Sequence, residues 1–371
     1  MLIGVPKEIK NHEYRVGLTP ESAAELVQFG QDIMVEAGAG GGIGASDEAY
    51  KAAGAQIVGT ASEIFAKAEM IIKVKEPQAA ERAMLRPDQI LYTYLHLAPD
   101  PEQTHDLIKS GAVCIAYETV TDAQGDLPLL KPMSQVAGRL AIQVGAKALQ
   151  KESGGRGVLL GGVPGVAPAK VVIIGGGDVG FNAAQMAVGL QADVTILERS
   201  NQVMEQLSYY FGSKAKVIRS TPTVLAELVK TADMVVGAVL IPGAAAPKLI
   251  TRDMLPTMLD GAVLVDVAID QGGCFETSKP TTHDDPTYII DGVVHYCVAN
   301  MPGAVARSST YALNAATLGH AKKIAKLGWK AALKSDPHLR NGLNVCQGKL
   351  TYGAVGKALG LDSVDPLHCL D

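Results

Sequence analysis

Several residues able to move protons or hold anions stand at the ends of short apolar runs. Lys75 closes "MIIKVK", His96 closes "ILYTYLHL" and Glu118 closes "CIAYE". In open α/β sheets ligands bind outside the carboxyl ends of the strands, so side chains at such exits can converge on one ligand. Lysine offers a compact positive charge. Histidine, with an unperturbed pKa of about 6.5, can give and take a proton near neutrality. Each has a plainer reading. Lys75 and Glu118 could be solvated strand ends, and Glu118 could instead be the buried partner of a basic residue. His96 could be held by a structural hydrogen bond to backbone or to a neighbouring tyrosine.

Two further candidates lie elsewhere. Arg15 precedes a helix start at Thr19-Pro20 in a charged loop, where a surface role is the default. Asp270, in "VLVDVAIDQGG", follows an apolar run that contains Asp266 and precedes two glycines. It either faces the crevice of a nucleotide-binding sheet or caps a turn. "PTTHDDP", residues 280–286, has the composition of a metal cluster but not the spacing of a metal site, and no metal is expected.

The most specific short motif is "VVIIGGGDVG", in which Gly175, Gly177 and Gly180 form G-x-G-x-x-G between an apolar strand and a helix. The first glycine allows a tight turn, the second admits a pyrophosphate to the backbone, and the third lets helix and strand approach. The helix N-terminus adds unsatisfied N–H groups for phosphate. The next run, "ADVTILE", ends in Glu198, eighteen residues after Gly180. A carboxylate there accepts hydrogen bonds from ribose hydroxyls and repels a 2'-phosphate, which favours NAD over NADP, with Arg199 beside it pulling the other way. FAD is the rival ligand. The position of the motif halfway along the chain and the lack of a second one favour a hydride-exchanging NAD enzyme.

The elements that must position these groups alternate. "LIGVPKEI", "DIMVEAG", "AQIVG", "AEMIIKVK", "ILYTYLHL" and "AVCIAYETV" read as strands between helical segments, which predicts a mostly parallel sheet covered on both faces. After residue 128 a connecting helix over about 130–150 leads to a second α/β series, from "KVVIIG" to "VVHYCVAN". Beyond residue 303 helical spacing returns in "GAVARSSTYALNAATLGHAKKIAKLG". With 371 residues two domains are expected: 1–128 with 304–371 for substrate, and 129–303 for the nucleotide. A formal charge of −5 gives no nucleic-acid footprint. The early charges of "MLIGVPKEIKNHEYR" do not make a signal peptide, and the weakly polar stretch "GVLLGGVPGVAPAKVVIIGGG" is too broken by Pro and Gly for a membrane span. Five scattered cysteines without CxxC fit free thiols and a cytoplasmic setting.

Together "MLIGVPKEIKNHEYRVGLTP", "IIKVKEP", "YLHLAPD", "YETV", "MSQVAGRLA", "GGVPGVAPAKVVIIGGGDVG", "GAVLVDVAIDQGG", "SKPTTHDDPTY" and "VANMPGAVARSST" resemble the bacterial alanine dehydrogenase family over nearly the whole chain. Transhydrogenase NAD(H)-binding parts and, more distantly, saccharopine-type dehydrogenases are related. An end at Asp371 without membrane segments points away from a transhydrogenase. The resemblance implies a Rossmann-type NAD domain with a discontinuous, flavodoxin-like α/β substrate domain. It implies reversible conversion of L-alanine, NAD+ and water to pyruvate, ammonia and NADH. Arg15 and Lys75 would bind substrate, and His96 and Asp270 would be catalytic. Ser134, Asp178, Val179, Glu198, Ser220, Val239 and Leu240 would line the cofactor's phosphate and adenosine side. Val267, Ala268, Ile269 and Asp270, with Val298, Ala299, Asn300 and Met301, would approach the nicotinamide, and Lys279 the phosphates or ribose. The family often has Asp where Glu198 stands, and a basic residue where Val203 stands. A homo-oligomer, usually a hexamer in this family, is implied as well. Alternatives are another small amino acid such as serine or glycine, a saccharopine-type reaction, or a cofactor-sensing module without catalysis.

Overall fold

The computed structural model describes residues 1–239 and 246–370, and two compact units emerge, 1–133 with 303–371 and 134–302. The chain crosses between them at 133/134, inside the helix Lys131–Ala148, and again at 302/303. No helix among the described residues is long and apolar enough to cross a membrane.

The first unit opens with β1 (Leu2–Val5), β2 (Asp32–Glu36), β3 (Gln56–Val58), β4 (Met70–Ile72), β5 (Ile90–Thr93) and β6 (Val113–Ala116). The chain then builds the second unit with β7 (Lys170–Ile174), β8 (Asp193–Glu198), β9 (Ala215–Arg219), β10 (Met234–Gly237), β11 (Val263–Asp266), β12 (Thr287–Ile290) and β13 (Val293–Tyr296). It returns to the first with β14 (Leu343–Cys346) and β15 (Lys349–Leu350).

In the first unit the order is β15-β14-β6-β5-β4-β1-β2-β3, parallel from β6 to β3 and antiparallel at β14 and β15. The doubly wound α/β class is the expected one. Its strand order differs from the flavodoxin-like 2-1-3-4-5, because β2 and β3 are both laid on one side of β1 before the chain crosses back to β4. Strands β4 to β6 are buried throughout, which is why their sequences are continuous apolar runs. Ile71, Leu91, Cys114, Ile64 and Phe65 share one core. The helix Ala306–Leu327 buries Ala306, Ser309, Thr310, Leu313, Asn314, Thr317 and Ile324, a stripe at three- and four-residue spacing.

The second unit has the order β12-β13-β11-β10-β7-β8-β9, parallel except for β12. Around β7 this is the dinucleotide-binding order, with its switch point between β7 and β10. Val172, Leu197, Val235, Leu264 and Phe275 form its core.

Candidate active site and dinucleotide cradle

In the first unit the polar residues gather where the parallel strands end. Arg15 lies on the loop before the helix Pro20–Gln28, whose N-cap Thr19 accepts from Ser22 N–H at 3.1 Å. The far end of the chain holds this loop. Asn314 accepts from Thr19 N–H at 2.9 Å and donates to the Gly17 carbonyl at 3.1 Å. Arg15 and Glu13 are both buried. Arg15 Nε and Nη2 donate to the two Glu13 oxygens at 2.7 and 2.6 Å, and Nη1 donates to Met133 Sδ at 3.1 Å. The fork expected to match a substrate carboxylate is therefore closed on Glu13, and the Nη1 side faces a thioether, a weak acceptor. Burial works against the Arg15 charge, but the bonds to Glu13 outweigh it and hold the pKa above its ordinary value.

Beyond β4, Lys73 is fully buried and donates to Glu8 at 3.1 Å and Glu81 at 2.6 Å. Lys75 is nearly buried, with Nζ 3.9 Å from Glu76. Burial pushes the Glu76 carboxyl up. Lys75 and Lys10 pull it down further, helped by His96, so its net shift is below the ordinary value. Lys10 also bonds Glu76 directly.

β5 ends at Thr93, earlier than the apolar run suggests. Tyr94 then donates to the Leu129 carbonyl at 2.6 Å, with its ring 5.0 Å from that of Tyr117. Burial pushes its hydroxyl pKa far up despite Arg15 nearby. His96 stacks on Tyr94 at 5.8 Å with planes 10° apart, and its side chain is 42% exposed. The structure thus gathers Arg15, Lys75 and His96 around Tyr94 and Glu76.

In the second unit the three glycines meet three different demands. Gly175 has φ +100°. A Cβ on Gly177 would meet nothing within 4 Å, and one on Gly180 would lie 1.8 Å from the Gly175 carbonyl oxygen. These are the turn, the open approach and the close helix–strand contact of a dinucleotide cradle. The helix Asp178–Gly189 starts there, with Asp178 exposed and Val179 buried. Glu198 ends β8 and accepts from Gly176 N–H at 2.7 Å, Arg199 N–H at 2.6 Å and Ser200 N–H at 2.9 Å. Its remaining lone pairs suit ribose hydroxyls, so these residues fit NAD. Val203 packs beside Gly176 and brings no charge.

The other expected cofactor residues spread around the same strand ends. Ser134 is on the helix Lys131–Ala148, half-buried. Ser220 N–H donates to the Glu198 carbonyl at 2.8 Å. Val239 is half-buried after β10, while Leu240 lies outside the described residues. Val267 N–H donates to the Gly237 carbonyl at 3.0 Å, and Ala268 and Ile269 are buried. Asp270 is exposed on a short 3-10 turn. Lys279 is exposed, its N–H donating to the Tyr288 hydroxyl at 2.7 Å. Val298 and Met301 are buried, Ala299 is half-buried, and Asn300 takes φ +60°.

Sequence reasoning missed some supporting groups. Asp266 is fully buried and accepts from Ala268, Cys274 and Phe275 N–H groups and the Ser278 hydroxyl, closing the turn that carries Asp270. Burial, outweighing those bonds, pushes its pKa up. Arg219, the last residue of β9, donates to Asn201 at 3.0 Å near Arg199. Its place at a strand exit was the available signal. Glu13 had none beyond its nearness to Arg15.

Two α/β units, one with a dinucleotide cradle and one with buried cations and a histidine at its strand ends, define a pyridine-nucleotide-binding α/β protein. Family models agree: "Alanine dehydrogenase/PNT, N-terminal domain" matches residues 4–137, and "Alanine dehydrogenase/PNT, C-terminal domain" matches 141–353. The chain belongs to the alanine dehydrogenase/PNT family. An alanine dehydrogenase of Halomonas elongata is 60% identical over 365 residues, covering 98% of each chain. A solved L-alanine dehydrogenase structure superposes with TM-score 0.94 at 50% identity, covering 97% of this chain and 99% of that one. A transhydrogenase structure from Sinorhizobium meliloti gives 0.82 at 25% identity, covering 95% and 100%.

Proposed function

We infer that the chain catalyses reversible oxidative deamination of L-alanine to pyruvate and ammonia with NAD. The observation that carries this is the placing of Arg15, Lys75 and His96 where the parallel strands of the first unit end, in a chain that resembles alanine dehydrogenases over nearly its full length. Arg15 takes the alanine carboxylate with its Nη side, where a charged oxygen outcompetes the Met133 thioether. Glu13 fixes the guanidinium plane from behind. Lys75, whose Nζ stands 3.9 Å from Glu76, donates to the carboxylate or the developing carbonyl oxygen. Holding the substrate by one end orients its Cα hydrogen, the main contribution of binding to such a transfer. NAD+, when bound, supplies the acceptor for that hydride.

His96 takes a proton from the water that attacks the imine carbon and returns one to the departing amine, as general base and then acid. We assign Asp270 to orienting that water or stabilising the cationic amine. Ser134, Gly175, Gly177, Asp178, Val179 and Glu198 would hold the phosphates and adenosine ribose, and the Glu198 charge opposes a 2'-phosphate. A homo-oligomer is in keeping with apolar side chains left exposed at Leu159, Val163, Val166 and Tyr209, and a hexamer is what the family resemblance implies. The cytoplasm is the proposed location, in keeping with five free cysteines.

The test is NADH formation with a panel of amino acids, using NAD+ and NADP+, for the native chain and His96→Ala. Turnover with alanine and NAD+, lost in His96→Ala while NADH still binds, is the expected result. No turnover with any amino acid would favour a binding module, and full turnover by His96→Ala would remove His96 from proton transfer.

A further inference from the structure

His96 has a left-handed backbone. Its φ of +50° lies in a region uncommon for any residue that carries a side chain, although His enters it more readily than most, so its surroundings must hold the turn. The turn is anchored from two sides. Leu95 N–H lies 3.1 and 3.2 Å from the two Glu118 oxygens, and His96 N–H lies 2.6 Å from Oε1. Two successive N–H groups thus converge on one carboxylate, as in backbone anion nests. On the other side, Gln103 donates to the Leu95 carbonyl at 2.6 Å and Thr104 to the Leu97 carbonyl at 3.0 Å. Leu95 and Leu97 are buried, and His96 between them is turned outward. The same Glu118 oxygen lies 4.0 Å from His96 Nδ1.

Resting on the proton-transfer reading above, we propose that Glu118 is the positioning residue of His96. Its carboxylate holds the left-handed turn that presents the imidazole, and it places a negative charge beside Nδ1 for the moment when the ring carries a second proton. A strand-end carboxylate with only a capping duty would need neither the inverted residue nor the nearness to Nδ1. Two consequences separate these. Without the nest the ring loses its fixed direction, and without the charge the imidazolium loses its neighbour. Binding by Arg15 and Lys75 is left in place in both cases.

The experiment compares Glu118→Ala, Glu118→Gln and His96→Ala in the full chain, singly and as the Glu118→Ala/His96→Ala pair. Gln can keep one oxygen for the N–H groups while removing the charge. Glu118→Ala should lower kcat about 100-fold, within the range general acid–base catalysis contributes. NADH affinity and the KM for pyruvate should stay within about threefold, less than the tenfold that 1.4 kcal/mol represents. Glu118→Gln should recover part of that loss, and the solvent deuterium isotope effect on kcat should rise in both. On the His96→Ala background, with the residual rate measured in added imidazole, Glu118→Ala should cost nothing further. A full extra loss on that background, or wild-type kcat in Glu118→Ala, overturns the proposal. Wild-type turnover by His96→Ala alone instead overturns the reading on which it rests. If Glu118→Ala does not fold, Glu118→Gln alone decides: unchanged kcat and isotope effect reject the role, and a lowered kcat with a raised isotope effect supports it.

Discussion

Arg15 shows how a residue can be found from the sequence while its setting is missed. A guanidinium near a helix start is visible in the sequence. That Glu13, two residues earlier, would take its fork at 2.7 and 2.6 Å is not, because the pairing depends on how the loop folds back. Both side chains are buried, so removing one breaks a buried ion pair, which typically costs roughly 3–5 kcal/mol. Glu13→Gln should therefore lower the melting temperature. Because the guanidinium plane is no longer fixed from behind, the KM for pyruvate should also rise about tenfold, equivalent to about 1.4 kcal/mol. Calorimetry and steady-state kinetics read the two effects separately. A lower melting temperature with unchanged KM would leave Glu13 a stabilising residue and nothing more. His96 is a similar case. Its residue type and place at a strand exit were legible, but its left-handed φ and the Glu118 nest were not, since both depend on β6 lying next to β5.

At the scale of elements, the glycine turn transferred best from sequence to structure, because each glycine answers a local steric demand. Gly180 allows the sharpest test. A Cβ there would sit 1.8 Å from the Gly175 oxygen, so Gly180→Ala must push the helix Asp178–Gly189 off β7. Overpacking of this kind costs about 1–3 kcal/mol. NADH affinity, followed by fluorescence titration, should fall at least tenfold, and unchanged affinity would show that the tight approach is dispensable. The elements that escaped sequence reading are antiparallel. β12 joins β13 through Asp291, at φ +50°, and Gly292, at φ +80°. β14 joins β15 through Gln347, at φ +50°, and Gly348, at φ +85°. Both are two-residue hairpins whose turn residues are a recognisable signal. β12, β14 and β15 are short, so the apolar pattern alone did not separate them, whereas β13 was read in "VVHYCVAN". The "ILYTYLHL" run likewise reads as a longer strand than the four residues of β5, because Glu118 takes the Leu95 and His96 N–H groups after the chain turns away.

For the whole molecule, two histidines link both units to pH. His295 in the second unit is fully buried. Its Nδ1–H donates to the Val293 carbonyl at 2.9 Å, so Nε2 accepts from the Thr277 hydroxyl at 2.8 Å, and the ring is neutral. Burial holds its pKa below 6.5. His320, half-buried on the helix Ala306–Leu327 of the first unit, is lowered for the same reason, with Asp336 only partly opposing. A depressed folded pKa means the unfolded chain binds more protons, so stability is complete above about pH 6.5 and falls as pH drops toward the folded values. Each histidine contributes a slope of at most about 1.4 kcal/mol per pH unit in that window. Asp266 and Glu8 act in the opposite sense. Burial raises their folded pKa values, so their protonation favours the folded state as the solution becomes acidic. The melting temperature should therefore fall from pH 7 to pH 5 less steeply than two histidines alone would give. His295→Asn and His320→Gln should each reduce the fall, and the double variant should remove it or turn it into a rise, because the carboxyl contributions then face no opposing histidine. Calorimetry across that range on the four chains decides, and an unchanged slope in the double variant would show that the acid response lies in other groups.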